Sequence, residues 1–252
     1  KCNLNRINEV NKILKKIRPN CIVHLGSKNP SFKELKKKKD FYNENLKDVK
    51  NLVNSIIIND RKIKLIFPGS SQMYGNIKKK VDENEKFKPM NSYARFRVDS
   101  HNYIINKKKK YNLFFTTIIL FNHDSIYRNK KFLFPRLISA IKKRNIKFIN
   151  EILNKNISAD FSHAEDICAG IYKVIVTNKK IKKLILSSNK CVAVNNIIKH
   201  IIEKNKIDLK LNFKSKIKNK CLKGNNSLAK KIIKWKPKKN IFIAADEIYN
   251  NL

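Results

Sequence analysis

Acidic residues are scarce in this sequence, and long apolar runs are missing. Asp and Glu number 19 against 58 Lys and Arg, a formal net charge of +39 over 252 residues. No apolar run approaches the roughly 18–20 residues that cross a bilayer. The longest, Leu113 to Phe121, is interrupted by Thr116 and Thr117, so no membrane partner is expected. No secretory signal pattern opens the chain, which points to the cytoplasm. No CxxC occurs: the five cysteines (Cys2, Cys21, Cys168, Cys191, Cys221) are scattered and odd in number. That argues against a disulfide framework or a metal site and fits a reducing compartment. The chain opens on Lys1 and its first methionine is Met73, as expected for a fragment of a longer product. Internal repeats and signatures of a zinc finger, an RNP motif or a helix-turn-helix are also missing.

What is present is enough apolar material for a core. Hydrophobic residues make up 42%, an ordinary globular share that argues against wholesale disorder. Lysine is spread along nearly the whole chain, with runs at Lys36 to Lys39 and Lys107 to Lys110 and smaller clusters at Lys78 to Lys80 and Lys238 to Lys239. Lys, Asn and Ile share adenine/thymine-rich codons, so composition explains the charge better than a nucleic-acid site does. Specific nucleic-acid binding is not expected; the positive field can still attract an anionic ligand.

Periodicity predicts alternating helices and strands. Ile7, Val10, Ile13, Leu14 and Ile17 share a helical face, and Pro19-Asn20 ends that helix. Further helices are expected over 46–58, 92–106, 132–143, 164–177, 194–203, 227–233 and 242–249. Cys21 to Leu25, Lys64 to Phe67, Phe114 to Phe121 and Lys183 to Leu186 read as strands. Each is a near-continuous apolar run, which predicts an α/β fold with a parallel sheet covered on both faces. Ligands of such sheets bind at the carboxyl ends of the strands. Attention therefore falls on Gly26-Ser27, on Gly69 to Gly75, and on Asn122 to Ser125.

The second of these segments, Ser70-Ser71-Gln72-Met73-Tyr74-Gly75, precedes a helix that carries Tyr93 and, four residues on, Arg97. A hydroxyl at a strand end can bond a substrate oxygen. A Tyr can serve as acid/base where a nearby cation favours its phenolate. The i, i+4 spacing puts Tyr93 and Arg97 on one helical face.

Ser-Ser-x-x-Tyr-Gly followed by Tyr-x-x-x-Lys marks the extended short-chain dehydrogenase/reductase superfamily, and this sequence resembles it. Leu120-Phe121-Asn122-His123-Asp124-Ser125, Asp160 to Asp166, Arg18 to Gly26 and the tail Ser227 to Pro237 are similar to segments of the GDP-mannose 4,6-dehydratase branch. The resemblance runs from about Asn3 to Tyr249. It implies a Rossmann-type parallel sheet, truncated at its N-terminal side, with a small discontinuous C-terminal substrate domain. The division it implies is 1–125 plus 160–187 for the dinucleotide part and 126–159 plus 188–252 for the substrate part. It also implies NADP (or NAD) as cofactor, a nucleotide-sugar substrate, foremost GDP-mannose, and a homo-oligomer.

The roles carried over are these. Ser70 holds the sugar O4, beside Ser71; Tyr93 is the base; Arg97 stands where a Lys holds the nicotinamide ribose. Gly26, Ser27, His123 and Arg128 face the cofactor. Asn122 and Arg128 face the substrate, and Asn45 lies behind the catalytic helix. Four departures accompany the resemblance. The GxxGxxG loop that holds a pyrophosphate does not occur in these residues. Gln72 replaces the Glu that removes the C5 proton, leaving Asp124 as an alternative acceptor. Arg97 replaces Lys. Ala159 replaces an Arg that grips the diphosphate, with Lys155 as a possible compensation. An epimerase or 4-keto reductase of the same superfamily, or an inactive homologue, is the alternative. His163 is expected to cap or orient a helix, and His24, His101 and His200 to be structural or exposed. Trp235 is expected to pack.

Overall fold

A computed structural model describes residues 2–28, 41–213 and 220–252; the run Lys36 to Lys39 lies outside the described residues. The elements are α1 (Ile7–Ile17), β1 (Cys21–Val23), α2 (Phe41–Asn59), β2 (Lys64–Ser70), β3 (Lys80–Val81), α3 (Ser92–Tyr111), β4 (Phe115–Leu120) and β5 (Asn122–Asp124). They continue with α4 (Leu133–Lys142), α5 (Ile146–Lys155), β6 (Ser158–His163), α6 (Ala164–Val176), β7 (Lys183–Leu186), β8 (Cys191–Ala193), α7 (Val194–Lys204), β9 (Lys223–Gly224), α8 (Ser227–Ile233) and α9 (Ile241–Asn250). The α/β class predicted from the apolar runs is the one observed.

The main sheet has the order β1-β2-β4-β7. β1 runs parallel to β2, with Cys21 opposite Lys64 and Val23 opposite Ile66. β4 and β7 advance together: Thr117 N–H donates to Lys182 O, and Phe121 N–H to Leu186 O. Strand order follows chain order, and the parallel neighbours β1 and β2 are joined by a crossover that contains α2. From Lys64 to Gly69 every residue of β2 is buried, which is why that strand reads as a continuous run and not as an alternation.

Two compact units make up the chain. The first comprises the residues up to Asn76, Glu85–Ile119 and Tyr172–Leu184. Its core packs Val49, Leu52, Val53 and Ile56 of α2 against Leu65 and Phe67 of β2 and Phe96 and Ile104 of α3. Val10 and Leu14 of α1 join it through the apolar face read from the sequence. Lys64 is buried, and its Nζ donates to Val174 O, Ile175 O and Thr177 O at 3.2, 2.7 and 2.6 Å. A cation thus satisfies carbonyls that the end of α6 leaves without helical partners. Burial pushes the Lys64 amine below its ordinary range.

The second unit comprises Ile77–Asn84, Leu120–Ile171 and Ile185–Leu252. Phe134, Leu137, Ile138 and Ile141 of α4 pack with Ile149 and Leu153 of α5, Ile197 and Ile201 of α7, and Ala244 and Ile248 of α9. A small sheet of order β5-β6-β8 borders this core, with β5 parallel and β8 antiparallel to β6. Asp160, fully buried on β6, accepts from Ser188 N (2.9 Å), Ser188 Oγ (2.6 Å), Asn189 N (3.1 Å) and Gly224 N (3.0 Å). A Cβ at Gly224 would stand 2.5 Å from Ser187 Oγ, so glycine is required where β9 crosses. Asp166 anchors the tail: its carboxylate accepts from Lys238 N and Lys239 N, both at 2.8 Å, and its carbonyl from Trp235 Nε1 at 2.8 Å. Trp235 is buried, and its contact is with α6.

Three features differ from the sequence reading. Helix α5 was not anticipated although its buried Ile149, Ile152 and Leu153 recur at helical spacing, and the short strands β3, β5, β6, β8 and β9 were not, because stretches of two to six residues with mixed polarity carry little periodicity. Cys191 and Cys221 form a disulfide with their Cα atoms 5.9 Å apart, against the expectation of unpaired thiols. Folding brings β8 to the segment before β9, a proximity that spacing along the chain does not show. Cys2, Cys21 and Cys168 are free. Among the described residues no helix is long and apolar enough to cross a membrane, and no group of three His, Cys, Asp or Glu could hold a metal ion.

Candidate active site

In the first unit the carboxyl ends of β1 and β2 carry the residues singled out above. β2 ends at Ser70, which caps a single 3-10 turn, Ser71–Tyr74. Ser70 Oγ accepts from Gln72 N at 3.3 Å, so the hydroxyl keeps its own proton for another acceptor. Ser71 is buried and Gln72 exposed. Gln72 Oε1 accepts from Asn91 Nδ2 at 3.2 Å, while Asn91 Oδ1 caps α3 by accepting from Ala94 N at 2.8 Å. The Gln72 amide therefore ties the turn to the start of the helix that carries Tyr93. Gly75 closes the turn at φ +74°, where a Cβ would meet Lys88 O at 2.3 Å; no other residue fits.

Tyr93 is half-buried at the second position of α3 and meets Phe96 edge-on at 6.3 Å. Arg97 is 7% exposed, and its guanidinium lies 5.2 Å from the Tyr93 ring centroid, so the two do share a face. At the end of β1, His24 is buried with neither ring nitrogen bonded. Burial, and secondarily Arg97, push its imidazole down to about 4, so it is neutral at physiological pH. Among the described residues, nothing stands within 4 Å of a Cβ built at Gly26, and the buried Ser27 hydroxyl has no partner. Behind them Asn45 is buried and clamps Lys28 with two bonds, accepting from its N–H at 2.9 Å and donating to its carbonyl at 3.0 Å.

In the second unit β5 presents Asn122, His123 and Asp124 in succession. Asn122 is exposed, with Nδ2 3.5 Å from Asp160 O. His123 donates through Nδ1 to Phe121 O at 2.8 Å, which leaves Nε2 as an acceptor, and burial lowers its proton affinity. Asp124 is buried; burial pushes its carboxyl up to about 6 against the pull of Arg128, whose Nε lies 3.6 Å from Oδ1. Arg128 also stacks on Phe132, 3.8 Å from Cζ to the ring centroid. His163 accepts from Glu165 N through Nδ1 at 3.2 Å and donates through Nε2 to Glu247 at 2.9 Å. It caps α6, as the sequence suggested. His101 bonds Thr117, and His200 bonds Asp246, so both have structural partners. Lys155 is held by Glu151 at 2.6 Å on α5, while Ala159 pairs with Val192. The structural roles of Asp160 and Asp166 were missed in the sequence; each looked like one more acidic residue of a motif.

A dinucleotide can be tested against these groups. Among the described residues, the space at Gly26, the unbonded Ser27 hydroxyl and the free Ser70 proton fit the polar nicotinamide-ribose end. A Gly-rich turn opening a helix, which would take the pyrophosphate, does not occur in this sequence.

Comparison with known proteins agrees with this architecture. The family model for GDP-mannose 4,6 dehydratase matches residues 1–247. GDP-mannose 4,6 dehydratase 1 of Arabidopsis thaliana is 26% identical over 194 residues, covering 72% of this chain and 52% of that protein. The chain spans about half the length of the curated relatives it matches. The structure of RMD from Pseudomonas aeruginosa complexed with NADPH superposes with a TM-score of 0.79 at 13% identity, covering 100% of this chain and 85% of that one. A dTDP-glucose 4,6-dehydratase from Bacillus anthracis in complex with NAD gives 0.80 at 15% identity, covering 99% and 77%. These likenesses establish the Rossmann-type fold. With residues 1–247 matched by one family model, the chain belongs to the GDP-mannose 4,6-dehydratase family.

Proposed function

We propose that the chain forms part of a nucleotide-sugar 4,6-dehydratase, a lyase that converts GDP-mannose to its 4-keto-6-deoxy derivative. The observation that supports it best is the pairing, within one unit, of a Ser70 hydroxyl that keeps its proton with Tyr93 and a buried cation one turn on. Ser70, beside Ser71, holds the sugar O4, and Tyr93 takes the O4 proton. Asn122 and Arg128 hold the diphosphate. Gly26, Ser27, His123 and Arg128 bind and orient the nicotinamide cofactor, NADP or NAD. That cofactor, when bound, supplies the acceptor for the C4 hydride and its return at C6. By this reading 1–125 with 160–187 serve the dinucleotide, and 126–159 with 188–252 serve the substrate.

Gln72 supports a second reading. A carboxamide cannot accept the C5 proton whose removal lets water leave. An epimerase or 4-keto reductase needs no such base. Incubating the full-length product with GDP-mannose and NADP+, and separately with a 4-keto-6-deoxy sugar nucleotide and NADPH, separates the two. Product in the first reaction supports the dehydratase; turnover in the second alone supports the alternative.

A further inference from the structure

We propose that Arg97 is a positioning residue that ties the Tyr93 helix to the end of β2, and that it is not the group that holds a cofactor ribose. Arg97 Nη1 donates to Pro68 O at 2.7 Å. Pro68 lies two residues before Ser70, so this bond fixes α3 against the strand end that carries the Ser70–Tyr74 turn. The guanidinium also sits 4.9 Å from the Phe96 ring, 5.2 Å from Tyr93 and 5.5 Å from Phe67. Among the described residues it has no carboxylate partner, and its Nε is buried and unbonded. A charge in such a place is tolerable for a planar, delocalised, weakly hydrated guanidinium that stacks on rings. An ammonium there would remain a strongly hydrated point charge, with three rings around it and one carbonyl to bond.

A second hydrogen-bonded tie between the turn and α3 is the Gln72–Asn91 bond, whose partners are both exposed. Of these two hydrogen-bonded ties, the Arg97 bond is the one that water does not compete for. Its Nη1 is committed to the protein's own backbone, and the guanidinium is enclosed by three rings, so little of it is left to reach a ribose.

The test uses Arg97→Lys and Arg97→Ala in the full chain, with amide hydrogen exchange as first readout. Local opening of the turn should speed exchange at Ser70–Tyr74 about tenfold or more in both variants, with amides of the second unit unchanged. Millimolar guanidinium should restore protection in Arg97→Ala, whereas methylammonium should not. Exchange within about twofold of the parent, or equal rescue by both cations, overturns the proposal. The second readout rests on the dehydratase reading: Arg97→Lys should lower kcat about tenfold while KM and the NADPH Kd stay within about threefold. A weaker NADPH Kd with unchanged exchange would assign Arg97 to the ribose and overturn the proposal. Lack of turnover in the parent protein defeats the dehydratase reading alone, since the exchange result stands without substrate.

Discussion

Replacing Asp160 by alanine should cost the second unit more than any substitution of its surface. The carboxylate is fully buried and accepts four hydrogen bonds, three from backbone N–H groups of Ser188, Asn189 and Gly224 and one from the Ser188 hydroxyl. Alanine leaves the three N–H groups without an acceptor. The Gly224 N–H is buried and those of Ser188 and Asn189 half-buried; at about 1–3 kcal/mol per orphaned donor, with the latter two at the low end and the Ser188 hydroxyl able to turn to Lys190 O, the sum is about 4 kcal/mol. For a domain of this size that corresponds to a fall in Tm of about 8–16 °C. Asp160→Asn should be nearly as damaging, because its NH2 would face the donors that one carboxylate oxygen now accepts. Urea denaturation followed by circular dichroism reads the loss, and hydrogen exchange locates it at Ser188, Asn189 and Gly224. A change below about 1 kcal/mol in Asp160→Ala would refute the reasoning.

Other outcomes are equally specific. Burial pushes His101 down to about 4 from an ordinary 6.5. The unfolded chain therefore binds a proton that the folded chain refuses, and stability falls as pH drops through that window, by about 3 kcal/mol. Asp124, pushed up to about 6, contributes with the opposite sign, so the test is the difference between parent and His101→Gln at pH 7.5 and 4.5; equal slopes would contradict it. Gly75→Ala should cost about 2–3 kcal/mol, because it adds positive-φ strain and a Cβ against Lys88 O. An unchanged Tm would show that the turn relaxes more easily than the geometry implies.

Several elements were legible in the sequence because their burial is one-sided or complete. α1, β7 and α8 fall where periodicity placed them, since Ile and Leu recur at helical spacing or in short unbroken runs. The order of Ser70, Tyr93 and Arg97 was legible as well, and Arg97 does lie over the Tyr93 ring. What escaped was what only tertiary proximity creates. The Cys191–Cys221 pair, the Asp160 hub and the Lys64 cap on α6 each join residues far apart in the chain. The inward turn of Arg97 escaped too, because i, i+4 spacing gives a shared face and not the direction of a guanidinium.

The most direct test of the account is product analysis of the full-length protein incubated with GDP-mannose and NADP+. The account predicts a GDP-bound 4-keto-6-deoxy sugar, formed with no net change in NADPH absorbance and lost in Tyr93→Phe. Unchanged GDP-mannose, or product formation that survives Tyr93→Phe at the parent rate, would contradict it.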